Sequence, residues 1–112
     1  MSLRLPRGLA GPDRGGNVDA LQYEMLQESA ATLARLGRRA EAALGELAAF
    51  DAARADDPAA RDALVGAAGE ALWYYVVQRE VLGMGGAEMV MRELRVPREV
   101  RLRMGVRPPA AP

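Results

Sequence analysis

A single helical period runs with little interruption from residue 19 to about residue 53, then resumes at Pro58 and holds to about residue 82. Leu26, Leu33, Leu36, Ala40, Leu44, Leu47 and Phe50 recur at the 3.6-residue spacing and gather on one side of a helix. Glu24, Glu28, Arg35, Arg38 and Glu46 gather on the other. Asp19 as N-cap, with Gln22 three residues on, reads as a capping box, and Val18 can staple to Tyr23. The second helix starts at Asp57-Pro58, a capping carboxylate followed by a ring that needs no hydrogen bond at the first helical position. Gly83 ends it. So brief a link lays the two helices antiparallel. Facing residue numbers then sum to about 112 if the turn is tight. Ala40 and Ala43 come against Ala68 and Ala71, and Gly37 comes against Tyr75.

Composition agrees with helix. Alanine, leucine, glutamate and arginine are abundant, and β-branched and aromatic residues are few. A chain of 112 residues is expected to make one domain with one thin core. The organisation read from the sequence is a flexible Gly/Pro/Arg-rich segment over 1–16, a single helical domain over 17–105, and a disordered Pro/Ala tail over 106–112. The fold class is all-α: a long antiparallel helical hairpin plus two short C-terminal helices, dimerising into a four-helix core.

The absent residues narrow the chemistry. With no cysteine there is no disulfide, thiolate nucleophile or Cys-based zinc site. With no histidine there is no imidazole ligand and no Ser-His-Asp triad. No catalytic residue, cofactor or metal site is expected, and the chain does not read as an enzyme. Glu24 and Glu28 share a face, but two carboxylates make a poor metal site. In the early turns of a helix the macrodipole accounts for them. The amino terminus lacks the apolar run of a signal peptide and no stretch is apolar enough to span a membrane, so the cytoplasm is the expected compartment.

Net charge is zero but unevenly spread. Residues 1–16 carry three Arg and one Asp (+2), residues 17–88 six Arg and twelve acids (−6), and residues 89–112 six Arg and two Glu (+4). Attraction between acidic and basic parts, within the molecule or its oligomer, is the simpler reading of this asymmetry.

The second helix is apolar on two sides. Leu64, Val65, Ala68, Leu72, Tyr75 and Val76 make the face toward the first helix, while Trp73, Tyr74, Val77 and Val81 form a second stripe. Both sides need cover, so either the C-terminal segment or another chain packs on that stripe. A Trp- and Tyr-bearing stripe has the composition of an interface, and a homodimer is the expected partner. Arg79, in line with Tyr75 and Leu82, reads as one half of a buried ion pair.

After Met84-Gly85-Gly86, a short helix is expected over 87–94, and another opens at Pro97 and runs to about Met104. The stretch Ala71-Leu-Trp-Tyr-Tyr-Val-Val-Gln-Arg-Glu-Val-Leu-Gly83, with Val-Pro-Arg-Glu-Val at 96–100, resembles a small family of bacterial all-helical proteins that carries only a domain-of-unknown-function label. The resemblance implies the helical fold and no activity. Glu88-Met-Val-Met-Arg-Glu-Leu-Arg-Val-Pro-Arg-Glu-Val100 resembles the helix–turn–helix of many bacterial repressors, with Val90, Leu94 and Val96 at its buried positions. That resemblance implies an alternative, a DNA-binding regulator whose Arg95, Arg98, Arg101 and Arg103 meet phosphates. The motif departs at Met91, where a small residue is wanted, at Arg95, where a Gly is, and at Arg101, where a buried aliphatic is. The first reading is therefore a non-enzymatic helical interaction protein, with nucleic acid and membrane not among its partners.

Overall fold

A computed structural model describes the backbone of residues 12–106 and the side chains of residues 16–106. Four helices follow one another among the described residues: α1 (Pro12–Ala53), α2 (Pro58–Val81), α3 (Ala87–Glu93) and α4 (Arg98–Arg101). No strand occurs among the described residues. The chain divides into two compact units, residues 1–32 and residues 33–112.

Where it is described, the first unit is helix only. α1 is already under way at Pro12, seven residues ahead of Asp19, so Asp19 is not an N-cap and the capping box and staple are not formed. Val18 and Tyr23 are both well exposed. Pro12 suits a helix start, because a ring without an N–H costs nothing in the first turn. Gly15 and Gly16, each about 1 kcal/mol poorer than Ala inside a helix, hid this start in the sequence. The expected flexible segment over 1–16 therefore has its last five residues in α1, while residues 1–11 lie outside the described part.

The second unit contains every buried apolar residue among those described. The link between α1 and α2 is residues 54–57, with Arg54 in the left-handed conformation at φ 55°. Asp57 caps α2 as expected: its Oδ1 accepts from the amide of Ala60 at 3.1 Å, and Pro58 takes the first position. The register also matches. Ala40, Ala68 and Ala71 are buried together, and a Cβ placed on Gly37 would lie 3.2 Å from the Tyr75 ring. α2 ends in a Schellman motif. Met84 N–H bonds to Arg79 O at 2.8 Å, and Gly83 N–H bonds to Glu80 O at 3.0 Å with Gly83 at φ 76°.

α3 and α4 complete the core with Val90, Met91 and Val100, which join Leu47, Val65, Leu72 and Val76. Leu72 and Val100 are fully buried. The turn after α4 covers α2 closely: a Cβ on Gly69 would stand 3.0 Å from the Cβ of Arg103 and 3.1 Å from its carbonyl carbon. Any larger residue at 69 would push the C-terminal segment away. The helix expected from Pro97 to Met104 is shorter, four residues followed by turns over 102–105, and Pro97 stands at its N-cap. Val106 is described and has no regular structure, while 107–112 lie outside the described residues.

Candidate functional site

α2 carries the candidate site: its inner face holds the core and its outer face is partly open. Trp73 is 43% exposed, Tyr74 49% and Val81 71%, with Val77 half-buried between them. The C-terminal segment covers this stripe at one end only. The alpha carbon side of Gly105 approaches the Trp73 ring, and a Cβ there would be 3.4 Å from Cε3. Beside it opens a groove of about 830 Å³, lined by Asp62, Gly66, Glu70, Trp73 and Tyr74 of α2 and by Arg103 and Gly105.

The groove has a charged rim whose charges are paired. Arg103 Nη1 donates to Asp62 Oδ1 at 2.9 Å, and Arg39 Nη2 on α1 donates to Glu70 Oε1 at 2.9 Å. The Arg39 guanidinium also sits over the Tyr74 ring, 5.5 Å from its centroid. With each cation facing an anion, the groove has no net sign. Among the described residues no group of three or more acidic side chains is placed to hold a metal ion.

Within the single chain, Arg79 meets a carbonyl and a ring; a carboxylate of a neighbouring chain is the other partner the sequence reading allows it. It is half-buried, its Nε donates to the carbonyl of Gly85 at 3.0 Å, and its guanidinium lies 5.9 Å from the centroid of Tyr75. The Schellman turn at Gly83 brings the hinge back over the last turn of α2. A backbone carbonyl and a ring face thus lie against the cation within the chain.

Arg61 was not singled out by the sequence reading. Its Nε and Nη2 donate to Asp51 Oδ1 and Oδ2 at 2.8 and 3.0 Å, and its Nη1 and Nη2 donate to Glu99 Oε2 and Oε1 at 2.8 and 2.7 Å. One guanidinium thus spans α1, α2 and α4 with two bidentate pairs. Hydrogen bonding to Arg61 holds the Asp51 and Glu99 carboxyls below the usual carboxylate range, and the same bonds, Glu99 first, raise Arg61. The signal was available for half of it, since 51 and 61 sum to 112, the hairpin register. Nothing in the periodicity points to Glu99.

The C-terminal arginines separate into two kinds. Arg101 Nη2 donates to both carboxylate oxygens of Glu88, at 3.0 and 2.9 Å, and Arg103 is held by Asp62. Arg95 and Arg98 are exposed and have no partner among the described residues. Arg95 stands at φ 53°, the conformation for which a glycine is ordinarily chosen, and closes α3 with Val96 N–H bonded to Met91 O at 3.0 Å. Val90 and Met91 are buried, Leu94 and Val96 are half-buried, and it is Val100 rather than residue 101 that turns inward.

No helix among the described residues is long and apolar enough to cross a membrane. No curated protein and no solved structure matches the chain. A family model does match, over residues 1–111, and the chain belongs to that family, a family of unknown function (DUF6665).

Proposed function

We propose that the protein is a non-enzymatic helical interaction protein of the cytoplasm, working as a homodimer through the outer face of α2. One observation carries the reading: Trp73, Tyr74 and Val81 remain substantially exposed on a helix whose opposite face is already committed to the core. Large aromatic side chains at the water boundary are the usual anchors of protein interfaces. Two hairpins meeting by this face place four helices around a shared apolar seam, with crossing angles of about 20°. The paired rim of Arg39, Glu70, Asp62 and Arg103 then surrounds that seam with groups that are already satisfied.

A second reading, DNA binding through α3 and α4, draws on the exposed Arg95 and Arg98. It ranks lower because Arg101 and Arg103 are engaged in ion pairs and α4 is a single turn.

The test is sedimentation or light scattering of the full chain at micromolar concentration, beside Val81→Asp and Tyr74→Asp. Both positions are exposed in the single chain, so the variants should keep the parent's circular dichroism. A dimeric parent with variants shifted toward monomer supports the reading. At high salt, where association through opposite charges is screened, a monomeric parent or variants that stay dimeric overturn it.

A further inference from the structure

We propose that the acidic first part of α1, residues 18–28, docks on the basic stretch Arg92–Arg98 of a second copy of this chain. This interface uses other residues than the α2 face and stands independently of it.

Val18, Leu21, Met25 and Leu26 are between 50% and 68% exposed. They fall at i, i+3, i+7 and i+8, on one side of the helix. Among the described residues the buried apolar ones begin only at Ala40. A lone helix has nothing of its own with which to cover such a stripe, and depends on packing for stability.

Charge selects the occupant. Asp19, Glu24 and Glu28 are the only charged residues between 16 and 32, and none has a partner among the described residues. The helix dipole does not explain them either. With α1 beginning at Pro12, Glu24 and Glu28 lie beyond the first turn, where that effect fades. Two such segments pairing with each other would collect six carboxylates and no cation, a like-charge arrangement that interfaces avoid. A basic surface with apolar side chains beside it is the complement.

The same chain carries one. Arg92, Arg95 and Arg98 fall within seven residues, all are exposed, and none has a partner among the described residues. Met89 and Leu102 nearby are exposed as well, and Glu93 is the one acid inside the stretch. Three carboxylates thus meet three guanidiniums, groups suited to bidentate hydrogen bonds.

The experiment is charge exchange in the full chain. One variant is Asp19→Arg/Glu24→Arg/Glu28→Arg. The other is Arg92→Glu/Arg98→Glu, with Arg95 kept because its left-handed backbone makes substitution a second perturbation. Sedimentation is run at low and high salt, with circular dichroism as the folding check. The parent should show an association step that weakens at least about tenfold on raising salt, as screening requires. Each variant alone should lose that step, and mixing the two should restore it between unlike chains. Val81→Asp should leave it intact, which keeps this outcome separate from that of the α2 face. Variants that associate as the parent does overturn the proposal. So does association strengthened by salt, which would mean self-pairing of the acidic segments.

Discussion

Arg61 on α2 and Glu99 on α4 meet edge to edge through two hydrogen bonds of 2.8 and 2.7 Å, although 38 residues separate them in the chain. The other edge of the same guanidinium is taken by Asp51 at the end of α1. α4 is only four residues long and has little helical stability of its own. Its place is fixed by burying Val100 and by this clamp. Arg61→Leu should therefore loosen α4 more than the hairpin. Hydrogen exchange should quicken several-fold for the amides of residues 100–104 and change little for the middle of α2. Uniform acceleration across the molecule would show that the clamp supports the whole fold and not α4 in particular.

The same pairs set a pH dependence. Asp51 and Glu99 titrate lower in the folded chain than unfolded, because both accept hydrogen bonds from Arg61. Their contribution is present above the unfolded carboxylate pKa and is lost as pH falls through the folded one, because protonation then removes a hydrogen-bonded anion. Thermal stability should decline as pH drops below about 4. Arg61→Leu should flatten that decline, as followed by thermal melts between neutral and acid pH. All three side chains are about a third to a half exposed, so salt should reduce the effect. An acid-side slope identical in parent and variant would assign it to other carboxylates.

The two helical glycines Gly45 and Gly69 should respond to alanine in opposite senses. A Cβ on Gly45 would meet nothing within 4 Å, so Gly45→Ala should stabilise by about 0.5–1 kcal/mol through helix propensity alone. At Gly69 the added carbon would stand 3.0–3.1 Å from Arg103, including its backbone, which cannot simply rotate aside. Gly69→Ala should destabilise by about 1–3 kcal/mol, as overpacking does. Denaturant melts of both variants test the pair. Stabilisation at both positions would mean that the C-terminal segment yields easily and that α4 is not seated against α2 as described.

Much of the hairpin was legible because two periods and a tight turn determine it. Once Asp57-Pro58 fixes the turn, the sum near 112 follows, and with it the buried Ala40, Ala68 and Ala71 and the approach of Gly37 to Tyr75. The start of α1 was not legible, since Gly15-Gly16 argue against helix locally and Asp19-x-x-Gln22 imitates a cap. The candidate site was legible in part. Trp73, Tyr74, Val77 and Val81 do share an outward face, but which end of it the C-terminal segment would cover depends on where Arg103 and Gly105 cross α2. That crossing follows from three-dimensional packing at Gly66 and Gly69, and no period in the sequence encodes it. The contacts of Arg79 within the chain were not legible for a similar reason: the hinge carbonyl it meets becomes available only after the chain reverses at Gly83.

The last prediction concerns nucleic acid. Residues 87–104 have the outline of a helix–turn–helix, and Arg95 even takes the left-handed conformation that the motif's turn requires. Yet a reading helix must enter a groove and bring several side chains to base edges. α4 offers one turn, with Val100 fully buried and with Arg101 and Arg103 held by Glu88 and Asp62. Arg95 and Arg98 can still neutralise phosphates, so some binding to duplex at low salt is expected. Two contacts give a shallow dependence of affinity on salt, with a slope of about −2, and no discrimination between sites. Titrations of random and genomic duplex at two salt concentrations should superimpose, and Arg95→Ala/Arg98→Ala should abolish both together. Binding to one site at least about a thousandfold tighter than to random duplex is the mark of a specific regulator. Such selectivity, lost in the double variant, would put the regulator ahead of the interaction protein. It would also mean that Arg101 and Arg103 exchange their carboxylates for phosphates when DNA arrives.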